Sequence, residues 1–118
     1  MATHNYQDLM VWQKAMDLVE VVYKISEDLP QAELYSLSNQ IRRSAVSIPS
    51  NIAEGQKRLN RAETIHFSGI ALGSVAELET QLILCKRLYS IEVDDGLSLC
   101  IEVGKMLTSL VKSLRSKL

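Results

Sequence analysis

The sequence contains little of what β-sheet proteins, disulfide-bonded proteins and metalloproteins are usually built from. Its 118 residues include one phenylalanine, one tryptophan, two cysteines, two prolines and five glycines. Because 47% of the residues are hydrophobic, the chain is not a disordered polar segment, and because aromatic residues are so few, its core must be aliphatic. This composition favours packed helices over a β-sandwich, and the length indicates a single domain spanning residues 1–118.

Clusters of metal ligands and catalytic groups are also missing. Cys85 and Cys100 lie in apolar surroundings without C-x-x-C spacing, so we predict two buried thiols and neither a zinc site nor a disulfide. Glu63 and His66 have the Glu-x-x-His spacing of di-iron bundles, but such a site needs a second copy of the motif, and the sequence has none. His4 is isolated near the N-terminus. We therefore predict no catalytic residue, no metal and no cofactor, and a protein that is not an enzyme.

Long apolar runs are absent as well. No run reaches the ~18 residues that a membrane-spanning helix needs, and the N-terminus lacks a basic segment followed by an apolar one. We expect a cytoplasmic protein with no membrane partner.

Helical spacing of apolar residues dominates what is present. It predicts four amphipathic helices, at about residues 9–29, 37–55, 61–90 and 96–117. The first helix stops before Pro30, and the third begins at a capping box in which Asn60 accepts from the backbone of Glu63. Short connectors between four helices predict an all-α, up-down-up-down four-helix bundle.

The second helix contains an unusual stretch, QIRRSAVSIPSNIAEGQKR, over residues 40–58. Gln40, Ser44, Ser47 and Asn51 form a seam of small polar side chains beside the apolar stripe, suited to hydrogen bonding across a helix interface. Pro49 lacks the N–H that a continuous helix would use, which predicts a helix that is kinked or interrupted near this residue.

Four of the glycines carry structural predictions. Gly69 and Gly73 lie inside the third helix, where each costs about 1 kcal/mol relative to alanine, so we predict close approach of a neighbouring helix there. Gly55 is predicted to cap the C-terminus of the second helix, and Gly96 to form a turn with two aspartates before the fourth.

Charge is segregated along the chain although the total is −1. The net charges are −4 for residues 1–39, +4 for 40–61, −5 for 62–104 and +4 for 105–118. Lys57, Arg58 and Arg61 surround the start of the third helix, where the helix dipole already favours an anion. This placement indicates a negatively charged partner, and with Arg43 these three are the candidate nucleic-acid-binding residues. Arg42 is expected to pair with Glu77 or Glu79 of the third helix.

Three stretches carry a resemblance to a known family: LMVWQKAMDLV, LSNQIRRSAVSIPSNIAEGQKR and IALGSVAELETQL. In this order and spacing they resemble the bacterial four-helix-bundle proteins encoded in intervening sequences of 23S ribosomal RNA genes. The resemblance implies a small cytoplasmic protein that forms a homopentameric ring. It also implies an architecture similar to the accessory proteins of diversity-generating retroelements, which act with a reverse transcriptase and bind nucleic acid. The positions that match are Trp12, Gln40, Arg42, Arg43, Ser47, Pro49, Asn51, Glu54, Gly55, Arg58, Gly73, Ser74, Glu77 and Glu79.

Two functions remain open from the sequence. One is an RNA-associated or ribonucleoprotein-scaffolding protein, with RNA or a nucleic-acid-processing protein as partner, and the other is a structural or protein-binding adaptor without nucleic-acid binding. In both cases we expect a homo-oligomer, a pentamer, because the apolar sector of the first helix and the polar seam of the second exceed what one bundle buries. The expected structural or interface residues are Trp12, Gln40, Arg42, Ser47, Pro49, Asn51, Glu54, Gly55, Gly69, Gly73, Glu77 and Glu79.

Overall fold

The computed structural model describes residues 5–117 and is helical throughout its regular elements. The four long helices are α1 (Met10–Glu27), α2 (Leu37–Lys57), α3 (Arg61–Tyr89) and α4 (Asp94–Arg115). Two short 3-10 turns, Tyr6–Asp8 and Gln31–Glu33, precede α1 and α2. No strand occurs within residues 5–117, so the predicted all-α class is confirmed. His4 and Leu118 lie outside the described residues.

The helices pack as the predicted bundle. α1 contacts α2 and α4, and α3 also contacts α2 and α4. Viewed along their axes, the four helices therefore stand at the corners of a square, and each packs against its two neighbours. The short connectors reverse the chain direction at each step, which gives up-down-up-down topology. The molecule measures 49 × 22 × 20 Å, and its length follows the helix axes.

The core is aliphatic, as expected. Its largest fully buried side chains include Leu18, Ile41, Ile48, Leu78, Leu82 and Leu107. Cys85 and Cys100 are buried free thiols within this core, which confirms that prediction. Burial raises the pKa of Cys85 and raises the pKa of Cys100 to about 12, because a thiolate is disfavoured among apolar groups. Both thiols therefore stay protonated and unreactive in the folded protein.

α2 passes through Pro49 without interruption. Neighbouring side chains bond to the carbonyls of this turn: Ser50 Oγ donates to the carbonyl of Val46 at 2.8 Å, and Asn51 Nδ2 donates to that of Ser47 at 2.8 Å. The helix is unbroken from Leu37 to Lys57, which excludes the interrupted alternative. A kink of the axis at Pro49 stays a prediction.

Close helix approach occurs at Gly55 and Gly96. Gly55 lies inside α2, which ends at Lys57 with Arg58 as its C-cap, and a Cβ added at Gly55 would lie 3.0 Å from the Cβ of Phe67. The carbonyl of Gly55 also accepts from Thr64 Oγ1 at 2.8 Å. Gly96 lies in the first turn of α4, not in a turn before it, and an added Cβ would lie 3.0 Å from Leu82 Cδ1. The capping roles predicted for both glycines were wrong.

Gly69 and Gly73 are exposed, and nothing lies within 4 Å of an added Cβ at either position. The predicted approach of a neighbouring helix is therefore not made within the subunit. α3 carries apolar residues on more than one side, so their spacing does not reveal which side faces the core. The two glycines lie on the outer side.

Candidate nucleic-acid interface

The two positively charged segments of the sequence meet at one end of the bundle. α2 and α4 both finish there, and α3 begins there. Arg61 Nη1 donates to the carbonyl of Lys117 at 2.9 Å, joining residues that are 56 positions apart. We call this surface the basic end and define it by five exposed cations, Lys57, Arg58, Arg61, Arg115 and Lys117.

The cations of the basic end differ in what they contact. Arg58 forms an exposed ion pair with Glu54 at 3.3 Å and lies over the ring of Phe67, 4.9 Å from its centroid. An exposed ion pair of this kind stabilises a protein by less than about 1 kcal/mol, so another anion readily replaces Glu54 as the partner of Arg58. Lys57 forms no ion pair within residues 5–117. The surface thus presents its charge mainly to solvent.

The opposite end of the bundle is acidic. Its acids, which define the acidic end, are Glu27, Asp28, Glu33, Glu92, Asp94 and Asp95. The Tyr89 hydroxyl donates to the carboxylate of Glu33, which also accepts from the backbone N–H of Leu37. These bonds lower the pKa of Glu33, with the Tyr89 contact contributing most, and the same contact raises the pKa of Tyr89. They tie the α1–α2 connector to the end of α3.

Arg42 faces α1 rather than α3. Its Nε donates to Ser26 Oγ at 2.9 Å, and its guanidinium lies 5.2 Å from the centroid of Tyr23. No ion pair joins Arg42 to Glu77 or Glu79 in the part of the chain that the structure describes, so the predicted pairing was wrong. Arg42 directly follows the core residue Ile41, and its position on the helix directs it to the α1 side.

The polar seam of α2 is used inside the bundle. The hydroxyls of Ser47 and Ser74 are 2.8 Å apart, linking α2 to α3, and Asn51 Nδ2 donates to Ser47 Oγ at 3.0 Å. Ser44 is buried, whereas Gln40 is exposed. Two of the four seam residues, Ser47 and Asn51, therefore bond within the subunit.

A polar pocket of about 560 Å³ lies between the first half of α2 and the second half of α3. Its lining is Tyr35, Ser36, Asn39, Gln40, Arg43, Ser44, Glu77 and Gln81. The Oε1 of Gln81 is buried and has no hydrogen-bond partner among the described residues. Sequence reasoning singled out Gln40, Arg43 and Glu77 but missed Tyr35 and Gln81. The only signal for Tyr35 was an aromatic residue in a connector, and Gln81 had none.

Apolar side chains remain uncovered on two opposite faces. The α1–α2 groove, about 310 Å³, is lined by Tyr6, Trp12, Met16, Val19, Val46 and Pro49 among others. The α3–α4 groove, about 580 Å³, is lined by Leu72, Val75, Ala76, Ile101 and Gly104 with Glu79 and Lys105 at its polar positions. Four further apolar residues of α3, Ile70, Ile83, Leu84 and Leu88, are between 40% and 61% exposed.

No metal centre is indicated. Residues 5–117 contain no group of three histidine, cysteine, aspartate or glutamate side chains that would hold an ion. The ring of His66 instead packs edge-on against Phe67, with centroids 5.2 Å apart. Within the described part of the chain, no helix has the length and apolar character to cross a lipid bilayer.

Comparison with known proteins identifies the family. The family model described as 23S rRNA-intervening sequence protein matches residues 7–109. A solved structure, that of a protein of unknown function from the S23 ribosomal protein family of Bacteroides thetaiotaomicron, superimposes with a TM-score of 0.78. It shares 28% identity with this chain, over 87% of this chain and 99% of its own. No curated protein matches. The match confirms the resemblance seen in the sequence, and the chain belongs to the 23S rRNA-intervening sequence protein family.

Proposed function

We propose that this protein is a non-enzymatic, cytoplasmic homo-oligomer that binds RNA through its basic end and serves as a scaffold in a ribonucleoprotein. The observation that carries the proposal is the convergence of cations from two distant segments, marked by the contact between Arg61 and Lys117. Lys57 and Arg115, in the last turns of α2 and α4, are favourably placed toward the helix dipole, but Arg61, at the start of α3, is not, and the five cations repel one another. A polyanionic partner supplies a reason for the arrangement.

The chemistry of the basic end suits phosphate groups. Arginine offers paired N–H donors that match phosphate oxygens, and the exposed cations outnumber the nearby acids Asp8, Glu54 and Glu63. Contacts of this kind are made with the phosphate backbone of a nucleic acid and carry little sequence information. We therefore expect binding that weakens steeply as salt concentration rises.

The uncovered grooves support assembly of several subunits. The α1–α2 groove and the α3–α4 groove lie on opposite faces, so contact between one groove face and the other on a second copy is head-to-tail, and a head-to-tail contact closes into a ring when the rotation between neighbouring copies closes. We propose a pentamer, as the family resemblance implies. In a ring the basic ends point the same way, and several weak contacts on one RNA strand reinforce each other through effective concentration.

A salt titration tests this function. Fluorescence anisotropy with a labelled single-stranded RNA should give a linear fall of log affinity with log salt concentration, with a slope that reports the number of phosphates contacted. Light scattering on the same samples should give a mass above that of the 13.2 kDa subunit. RNA affinity that is absent at low salt would overturn the RNA assignment, and a monomeric mass would overturn the assembly.

A protein-binding adaptor is the second candidate function, and the α1–α2 groove favours it. Trp12 packs edge-on against Tyr6 with ring centroids 5.4 Å apart, at the mouth of a mainly apolar groove. Such a groove suits an apolar anchor of a protein partner. Binding through it would change little with salt, which separates it from phosphate-driven binding.

A further inference from the structure

We propose that the polar pocket binds one unpaired nucleotide of the RNA strand. Its base stacks on Tyr35, and its exocyclic amino group donates a hydrogen bond to Gln81. This inference rests on the proposed RNA function and adds a second contact to it, because the pocket lies on the side of the bundle and not at the basic end. Arg43 lies near the start of α2 and Lys57 at its end, about 20 Å apart at the helical rise per residue. A strand that leaves the basic end along α2 therefore reaches the pocket.

Tyr35 supplies the stacking surface. It lies between the Gln31–Glu33 turn and the start of α2, and 91% of its surface is exposed. An aromatic ring left in water at the rim of a polar pocket has no role in the core of the subunit. Unpaired bases stack on such rings in single-stranded RNA recognition, whatever their sequence.

Gln81 supplies a hydrogen-bond acceptor that the protein itself does not satisfy. Its Oε1 is buried without a donor among residues 5–117, which is uncommon in a folded protein. Adenine and cytosine each carry an exocyclic amino group that donates to an amide or carboxylate oxygen, whereas uracil carries none. Glu77, on the same wall and outside every ion pair of the described residues, offers a second acceptor.

Arg43 supplies the phosphate contact. It is exposed, it lines the pocket, and no ion pair within residues 5–117 includes it, although Glu77 lines the same pocket. The pocket thus combines a ring, side-chain amides and a cation. Its lining is mainly polar, in contrast to the two apolar grooves, and this chemistry matches a nucleotide better than an apolar protein anchor.

The test compares four labelled 12-mers of equal charge by fluorescence anisotropy: oligo(A), oligo(C), oligo(U) and an abasic ribose-phosphate strand. Oligo(A) and oligo(C) should bind about tenfold more tightly than the abasic strand, because stacking of one base supports an affinity gain of this order. Tyr35→Ala should remove the advantage, and Tyr35→Phe should keep it. Gln81→Met should lower oligo(A) and oligo(C) binding to the level of oligo(U).

The salt dependence separates the pocket from the basic end. Tyr35→Ala and Gln81→Met should leave the log–log salt slope unchanged, whereas Arg43→Gln should reduce it by about 0.7, the contribution of one phosphate of a single strand. Equal binding of all four strands with a steep slope would overturn the pocket assignment and leave RNA binding at the basic end intact. Absence of binding to every strand would overturn both.

Two further outcomes would also contradict the proposal. Tyr35-dependent binding of free adenosine monophosphate without any preference among the strands would place a free nucleotide, not RNA, in the pocket. A Tyr35→Ala protein with a smaller oligomeric mass and unchanged strand preference would show that Tyr35 lies in a contact between subunits.

Discussion

The two ends of the bundle share a helix arrangement but carry opposite charge. Cations of α2, α3 and α4 gather at the basic end, while acids of both connectors gather at the acidic end. A total charge of −1 therefore says nothing about the potential at either surface. The up-down topology brings the C-termini of α2 and α4 and the N-terminus of α3 to one end, and because these termini carry the cations, the topology converts a sequence pattern into a polarised molecule.

The ends also differ in which atoms lie against their close-packed glycine, although the shortest distance is the same. Near the basic end, Gly55 meets the Cβ of Phe67 and, at 3.3 Å, the backbone carbonyl of Thr64. Near the acidic end, Gly96 meets only side-chain tips, Leu82 Cδ1 and Ile25 Cδ1. Backbone-attached atoms move little, whereas the ends of aliphatic side chains rotate away. A side chain added at Gly55 is therefore accommodated less easily than one added at Gly96.

Charge removal at the two ends gives the largest expected contrast. Replacing Lys57, Arg58 and Arg61 with glutamine should weaken RNA binding about 100-fold near 0.1 M salt and lower the salt slope by about 2, as expected for three lost phosphate contacts. The matched control replaces Lys24, Lys86 and Arg87, toward the acidic end, and should change affinity little. Both should be measured by anisotropy with one RNA. Equal losses in the two variants would mean that the binding surface is not the basic end.

Steric tolerance gives the next contrast. Gly55→Ala should lower the free energy of unfolding by about 2 kcal/mol, because neither Phe67 Cβ nor the Thr64 carbonyl yields without moving α3. Gly96→Ala should cost less than about 1 kcal/mol, since rotation of Leu82 and Ile25 side chains relieves the contact and alanine favours the helix. Urea titrations of the two variants check the order, and a larger loss for Gly96→Ala would refute the packing explanation.

The exposed glycines should respond in the opposite direction. Gly73→Ala should stabilise the isolated subunit by about 1 kcal/mol, because the site is open and alanine is the better helix former. Gly73→Leu should reduce the oligomeric mass if a second copy approaches this surface. Denaturation and light scattering separate the two effects. Loss of subunit stability in Gly73→Ala would show an intramolecular contact that the fold does not account for.

Ser90 offers a smaller effect at the acidic end. It is the C-cap of α3 and has a φ of 57°, a left-handed conformation that costs side chains other than glycine about 1 kcal/mol. Ser90→Gly should raise the midpoint of thermal unfolding by a few degrees in calorimetry. Ser90→Ala serves as the control and should not raise it.

The Glu33–Tyr89 contact should give a pH dependence confined to the acidic end. The lowered pKa of Glu33 means that its contribution is present above the ordinary value of 4.5 and is lost as the pH falls. The raised pKa of Tyr89 means that its contribution is present below 10.0 and is lost as the pH rises. Tyr89→Phe should flatten both limbs of the stability profile measured by urea titration. An unchanged acid limb would show that other carboxylates determine it.

Much of the fold follows from local sequence signals. Helical periodicity and the Asn60 cap depend on residues close together in the chain, and the structure confirms both. Asn60 Oδ1 accepts from the N–H of Glu63 at 2.8 Å. The aliphatic composition likewise predicted the aliphatic core. The roles of the glycines do not follow in this way. The sequence predicts a cap at Gly55 and close approach at Gly69, but which of them contacts a neighbouring helix depends on how each helix is rotated about its axis.

The candidate site was predicted only in part for the same reason. The basic cluster was visible because Lys57, Arg58 and Arg61 are nearly consecutive, but their meeting with Lys117 depends on topology. Arg42 and Arg43 are adjacent, yet one faces α1 and the other lines the polar pocket with Gln81. No sequence spacing reports that divergence.

The reactivity of the two core thiols reports opening of the bundle. Cys85 and Cys100 are fully buried, and the pKa of Cys100 is raised to about 12, so an alkylating reagent has neither access to the sulfur nor a thiolate to attack in the closed form. Every modification event must pass through a state in which α3 or α4 has separated from the core. Because each thiol belongs to a different helix, alkylation rates of single-cysteine variants would measure the opening of α3 and of α4 separately, at cysteines that the sequence already contains.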